Sequence, residues 1–247
     1  LEPIVIDVSI LVPIKDEADN LNPLADEITA AMQSQLWSWE CLWIDDGSTD
    51  GSLDLLRKLH QSDPRHTYIS LAKNAGQSAA LFAGFLEARG AIFATVDGDG
   101  QNDPADLPGL IQMVYSGEVD MANGYRQKRK DGVWRWFISR IANGFRTMLT
   151  GKTVRDVGCS TRAFRRECVR GMPCFKGMHR FLPTMVTQQG YRISEGPVNH
   201  RPRNLGTSKY SIHNRLWVGI LDTFGVVWLR MRGFQYSIAE RSQDKDD

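Results

Sequence analysis

The sequence predicts an α/β protein whose first half is a parallel, helix-covered sheet. Over the first 125 residues, short apolar runs bounded by turn residues alternate with longer amphipathic stretches, the pattern of strand–helix–strand units. Polar clusters rich in Asp, Gly and Asn follow the ends of the apolar runs, where open α/β sheets hold their ligands. The apolar fraction of 42% against 24% charged residues is that of a globular chain able to bury both faces of such a sheet.

The elements follow in order. Val8-Ser9-Ile10-Leu11-Val12-Pro13 is a buried strand, and Asp19 to Gln33 is a helix with Leu21, Leu24, Ile28 and Met32 at helical spacing. Cys41-Leu42-Trp43-Ile44 is the second strand; Thr49 or Asp50 then caps a helix that runs to about Gln61. Tyr68 to Leu71 is a third strand, and Gln77 to Arg89 a helix with Gly90 as its expected C-cap. Ala91 to Ala94 is a fourth strand, Pro104 opens the next helix, and Val119 to Asn123 is a fifth strand. Beyond it, Val133 to Leu149 reads as a helix and Gly158 to Phe164 as a return to the sheet. Phe181 to Gln189 is a short helix, Tyr191 to Glu195 a strand and Ser211 to Arg232 a last helix.

Four polar clusters therefore converge on one rim: Asp16-Glu17, Asp45-Asp46, Lys73-Asn74 and Asp97-Gly98-Asp99. Asp97 and Asp99, one residue apart at a strand end, can project oxygens toward a common point, with Gln101 adding an amide oxygen. Such hard donors suit Mg²⁺ or Mn²⁺, ions that share their coordination with a substrate diphosphate. Asp45-Asp46-Gly47-Ser48 and Glu17 could hydrogen-bond a base and ribose, and Lys73 supplies a cation beside a phosphate-sized gap. The bland alternatives are a solvated Asp/Gly turn and helix caps.

Charge and cysteines narrow the class. The net charge of +1 gives no global pull toward nucleic acid, but cations concentrate between Arg126 and Arg170 and can bind anions there. The four cysteines have no C-x-x-C spacing and read as reduced, mostly buried thiols of a cytosolic protein. There is no signal-peptide pattern and no apolar run of about 18 residues.

Taken together, Pro13…Asp16-Glu17, Asp45-Asp46-Gly47-Ser48, Asn74…Gly76 and Asp97-Gly98-Asp99-Gly100-Gln101 resemble a glycosyltransferase of family 2, in its polyprenyl-phosphate branch. Asp156-x-Gly158-Cys159-Ser160-x-Arg162-Ala163-Phe164-Arg165 is similar to the aminoarabinose-transferase subgroup. His200-x-Pro202-Arg203-x-x-Gly206-x-Ser208-Lys209-Tyr210 is similar to the segment after the last strand there. The likeness covers roughly residues 8 to 230. It implies a GT-A fold with a mostly parallel, Rossmann-like sheet, inversion at the anomeric carbon, and Mg²⁺ or Mn²⁺ as cofactor.

It also implies roles. Pro13, Asp16, Glu17, Asp45, Asp46, Lys73, Gly98 and Lys209 fall in the nucleotide-sugar site, with Asp46 and Glu17 on the nucleoside. Asp97, Asp99 and Gln101 hold the metal and donor diphosphate. Arg126, Arg140 and Arg162, with Ser208, face the acceptor phosphate, and catalysis rests on Asp99 and these arginines. The expected organisation is a catalytic domain over 1–205, an acceptor loop and amphipathic interface helix over 206–234, and a polar, disordered tail over 235–247. The partners implied are a nucleotide-diphosphate sugar, a polyprenyl phosphate and the cytoplasmic surface of a membrane.

In the last helix, Leu216, Trp217, Ile220, Leu221, Phe224, Val227, Trp228 and Leu229 lie between arginines, which suits a helix lying in the headgroup layer. Trp134, Trp136 and Phe137 could do the same. A separate membrane-embedded subunit, a peripheral form and a trimmed chain (residue 1 is Leu) all fit. The nearest rival function uses a sugar hydroxyl as acceptor, with Asp103 or Asp156 as base. A metal-dependent nucleotidyltransferase would need a Gly/Lys-rich phosphate loop that Ile10 to Lys15 does not provide. A non-catalytic membrane scaffold would tolerate Asp97→Asn.

Overall fold

The computed structural model describes residues 6–126, 154–202 and 212–232. Its centre is a seven-stranded sheet of order β3-β2-β1-β4-β6-β5-β7. The strands are β1 (Val8–Ile14), β2 (Trp39–Asp45), β3 (His66–Ser70), β4 (Ile92–Thr95), β5 (Met121–Arg126), β6 (Arg162–Arg165) and β7 (Ile193–Val198). The helices are α1 (Ala18–Gln33), α2 (Ser52–Ser62), α3 (Gln77–Glu87), α4 (Leu107–Tyr115), α5 (Leu182–Gln188) and α6 (Ile212–Arg232).

Side-chain alternation along the strands explains the two helical layers. Val8, Ile10, Val12 and Ile14 of β1 pack with Leu21, Leu24 and Ile28 of α1, Leu56 of α2 and Leu110 and Ile111 of α4. Leu11 points the other way, toward Ala80, Leu81 and Phe85 of α3 and Leu182, Met185 and Val186 of α5. Phe85 stacks on Phe93 at a centroid separation of 6.0 Å, and Phe164 meets both rings edge-on. The sheet is thus buried on both faces, as near-continuous apolar strands require.

The first four strands are parallel, as expected, and so are β5 and β7. The departure is β6, which lies antiparallel between β4 and β5. Its register places Arg162 opposite both Thr95 and Asn123. The start of an antiparallel strand meets the ends of its parallel neighbours, so residues 160–162 arrive at the rim that carries the polar clusters.

Two local expectations are corrected. Gly90 is not the cap of α3, which ends at the extended Ala88. Gly90 is small because a Cβ there would lie 2.5 Å from the Ser9 backbone nitrogen. The α2 cap is Gly51, in the left-handed region at φ 89°, rather than Thr49 or Asp50. Asp50 instead accepts from Ser52 N–H and from Ala18 N–H, tying the starts of α2 and α1 together. Of the cysteines, Cys41, Cys159 and Cys168 are buried and Cys174 is exposed. The expected helix at Val133–Leu149, with Trp134, Trp136 and Phe137, lies outside the described residues, as does the tail from Gln235.

His66 ties α1 to β2. The Trp43 indole N–H, which can only donate, gives its hydrogen to His66 Nδ1 at 3.1 Å, so the ring proton sits on Nε2, 3.0 Å from Thr29 Oγ1. Burial holds this imidazole below its ordinary pKa of 6.5. The folded state therefore favours the neutral ring, and its contribution is complete above about pH 6.5 and lost as pH falls. Urea unfolding is expected to show lower stability at pH 5.5 than at pH 7.5, and His66→Gln should flatten that slope.

Candidate active site

The ends of β1, β2, β4 and β5 and the start of β6 form one rim, and a cavity of about 400 Å³ opens there. Its lining includes Pro13, Gln77, Asp97, Ser160, Arg162 and His179. Asp97 follows β4 directly. Its carboxylate accepts from Gln77 Nε2 at 2.9 Å through Oδ1 and from the Ser160 hydroxyl at 2.6 Å through Oδ2. Burial, together with the charge of Asp99, pushes Asp97 above the usual carboxylate range, although Ser160, Arg162 and Gln77 pull the other way.

The loop after Asp97 is clipped to the strand-entry segment of β6. Asn102, 4% exposed, donates to Thr161 Oγ1 at 2.7 Å. Its Oδ1 accepts from the Ser160 hydroxyl at 3.3 Å and faces the Asp97 N–H at 3.4 Å. Thr95 donates to the Ser160 carbonyl at 2.5 Å. Gly98 permits the close crossing of β1, since a Cβ would come within 2.5 Å of Ile14 Cγ2. Gln101 N–H donates to Asp99 Oδ1 at 3.2 Å, and the Gln101 carbonyl accepts from Arg201 N–H at 2.8 Å.

The remaining clusters do more structural work than their sequence suggests. Asp46, 4% exposed, accepts the backbone N–H groups of Ala75 and Gly76 at 2.6 and 2.8 Å. Asp45 takes Ser48 N–H and the Ser70 hydroxyl, both at 2.8 Å. These two carboxylates thus brace the loops after β2 and β3. Asp16, at φ 53°, accepts from Thr49 N–H at 2.7 Å and pairs with Lys15 at 3.3 Å. Lys15 donates to the Gly47 carbonyl at 2.5 Å. Gly47, at φ +68°, lets the Lys73–Asn74 backbone approach where a Cβ would sit 2.9 Å from it. Glu17 accepts from Asn20 Nδ2 at 2.7 Å at the start of α1, and Lys73 is exposed.

Among the arginines, Arg162 is 4% exposed and hydrogen-bonded through all three nitrogens: to Asn123 Oδ1 at 2.9 Å, the His179 carbonyl at 2.7 Å and the Val157 carbonyl at 2.8 Å. The expectation that it grips a phosphate meets a guanidinium already held by protein acceptors. It acts as a fixed positive charge in the cavity wall, beside Asp97 and Asp156. Arg126 forms a two-point pair with Asp156, Nε to Oδ2 at 2.7 Å and Nη2 to Oδ1 at 2.8 Å. Its Nη2 lies against Gly158, where a Cβ would be 3.3 Å away. Asp103 pairs with Arg201 at 2.9 Å. Arg140, Ser208 and Lys209 lie outside the described residues.

The site residues that sequence reasoning passed over are Gln77, Ser160, His179 and Arg180. Gln77 and Ser160 stand inside motifs that had been read for their neighbours. His179 and Arg180 lie in an irregular stretch where nothing local marks them, and only the packing of that stretch against the start of α3 brings them to Asp97.

For a divalent cation the donor chemistry fits. The charge of Asp99 disfavours that of Asp97, a repulsion that a cation relieves. Among the described residues no group of three or more His, Cys, Asp or Glu side chains converges.

Comparison with known proteins agrees with this geometry. Residues 9–171 match the model of Glycosyl transferase family 2. A dodecaprenyl-phosphate galacturonate synthase of Rhizobium johnstonii is 37% identical over 227 residues, covering 90% of this chain and 67% of the relative. An undecaprenyl-phosphate 4-deoxy-4-formamido-L-arabinose transferase of Salmonella paratyphi A is 38% identical over 205 residues, or 83% of this chain and 62% of the relative. The chain thus spans about two thirds of the length of these relatives. Among solved structures, glucosyl-3-phosphoglycerate synthase from Mycobacterium tuberculosis with Mg²⁺ and uridine diphosphate superposes with a TM-score of 0.66 at 17% identity, over 89% of this chain and 79% of that one. This likeness shows the fold, the GT-A arrangement of a central sheet between helices. With the Asp-x-Asp loop at its strand-end rim, the chain belongs to glycosyltransferase family 2.

Proposed function

We propose that this glycosyltransferase moves a single sugar from a nucleotide-diphosphate donor to a polyprenyl phosphate, with inversion at the anomeric carbon. The observation that carries the reading is the pairing of the carboxylates that a hydroxyl acceptor would need. Asp103 is engaged by Arg201 and Asp156 by Arg126, whereas a phosphate monoester is already ionised and needs no strong base. The relatives' names, each a polyprenyl-phosphate sugar enzyme, point the same way.

Asp97 and Asp99 would hold Mg²⁺ or Mn²⁺, whose charge would stabilise the departing nucleoside diphosphate. Gln77 and Ser160 orient Asp97 by donating to its two oxygens, and each oxygen retains a second lone pair for a ligand. Glu17 and Asp46 would serve the nucleoside, with Asp46 acting through the loop it braces. Asp156 holds Arg126 through Nε and Nη2, and a guanidinium so placed would lend positive charge beside Gly158, which lines the cavity. Arg162 supplies background positive potential to a cavity that must receive two anions.

A polyprenyl acceptor lives in lipid, and α6 supplies a fitting surface. Leu221, Phe224, Trp228 and Met231 are exposed and recur every three or four residues, so they share one side of the helix. Thr223 and Val226 face the body instead. Arg230 and Arg232 follow in the last turn, placed for anionic headgroups. Among the described residues no helix is long and apolar enough to cross a membrane, and this reading has α6 lie on the bilayer.

With polyprenyl phosphate, detergent and radiolabelled UDP- and GDP-sugars, label is expected in the organic extract only when a divalent ion is present. Label retained in polymer would overturn the acceptor assignment. Asp97→Asn should lower transfer at least about 100-fold, and Ser160→Ala, which frees the carboxylate to rotate, about tenfold. Replacing Leu221, Phe224 and Trp228 together by Ser should weaken sedimentation with anionic vesicles by about tenfold or more and leave transfer to a detergent-dispersed short-chain acceptor intact.

A further inference from the structure

One part of the cavity wall comes from the stretch before α5, where His179, Arg180 and Leu182 line it. Ser78, 7% exposed in the first turn of α3, accepts the Gly177 N–H at 2.9 Å, and its oxygen lies 2.8 Å from His179 Nδ1. The hydroxyl hydrogen is then available to Nδ1, which leaves the ring proton of the neutral imidazole on Nε2. Burial, Arg180 and Arg162 push His179 down to about 3, so the ring is neutral near pH 7 and its Nε2–H is a donor. Arg180 feels the charge of Asp222 on α6 but makes no ion pair within 4 Å among the described residues. Behind both stands the buried Arg162, which accepts nothing and holds the His179 carbonyl.

We infer that His179 and Arg180 form an oxyanion subsite in this cavity, taking carboxylate or phosphate oxygens of a substrate. The carboxylates nearest this stretch are Asp222, against Gly177, and Asp97, elsewhere on the cavity lining; neither forms an ion pair with Arg180 among the described residues, so the N–H and the guanidinium are matched to an acceptor-only, negatively charged group. Two sources carry that chemistry: the carboxylate of an acidic sugar on the donor, or the phosphate of the acceptor. The inference rests on the cavity being the transfer site proposed above.

Steady-state kinetics of Arg180→Gln with a nucleotide-linked hexuronic acid and the matching neutral hexose separate the sources. If the group is a sugar carboxylate, kcat/KM for the acidic donor falls at least about tenfold and the neutral donor is unaffected. If it is the acceptor phosphate, KM for polyprenyl phosphate rises at least about tenfold with both donors. Either result supports the subsite, and unchanged constants in both overturn it. Should the wild-type chain transfer no sugar, the proposed function fails, and the subsite is decided separately by titrating inorganic phosphate and glucuronate into the purified protein. Saturable binding weakened about tenfold by Arg180→Gln and restored in part by Arg180→Lys supports it. Absent or equal binding overturns it. Nitrogen NMR of His179 should report a neutral ring protonated at Nε2 across pH 6 to 8, and a ring protonated at Nδ1 would remove His179 from the subsite.

Discussion

The site depends on one join: the loop that follows β4 is held to the entry of β6 by Ser160 and Thr161. Ser160 donates to Asp97 and reaches Asn102, and Asn102 in turn donates to Thr161. A loop of Gly, Asp and Asn has little intrinsic preference for one shape. Its carboxylates become useful only when side chains from elsewhere restrict them. Asn102 and Thr161 are buried, so losing the hydrogen bond between them would leave buried polar groups unsatisfied. That cost keeps the geometry in one state.

The join also explains the electrostatics. A half-buried Asp97 beside Asp99 is unfavourable by itself. The structure offsets this with Gln77, Ser160 and the buried Arg162 while leaving the two carboxylates adjacent. Arg162 in turn is tolerated in the interior because Asn123, Val157 and His179 accept from its guanidinium. Negative and positive groups therefore face one cavity, each anchored by hydrogen bonds to its neighbours in or beside the lining. A metal-bound diphosphate and a second anion are complementary to such a distribution.

Much of this was legible in the sequence. The apolar runs located β1 to β5 because strands buried on both faces are nearly continuous in hydrophobicity. Asp97-Gly98-Asp99 stood out because paired acids after a strand are hard to explain by folding alone. Other parts were illegible for physical reasons. The antiparallel setting of β6 is a tertiary choice that no local pattern encodes. Asp45 and Asp46 resemble ligands in sequence; their oxygens also hold Ser48, Ser70, Ala75 and Gly76, and of these partners all but Ser48 are too distant for local spacing to reveal. The same holds for His179, whose partner Ser78 lies about a hundred residues away.

The insertion of β6 between β4 and β5 has a consequence for how the molecule is made. The strands that flank it are complete by residue 126, while β6 begins at Arg162. An emerging polypeptide therefore holds its Asp-x-Asp loop for some time without the segment that disciplines it, and the sheet stays divided until that segment threads in. Long-range pairings of this kind slow assembly. They also couple maturation of the reactive centre to closure of the whole architecture, so a partly folded chain carries no working transferase.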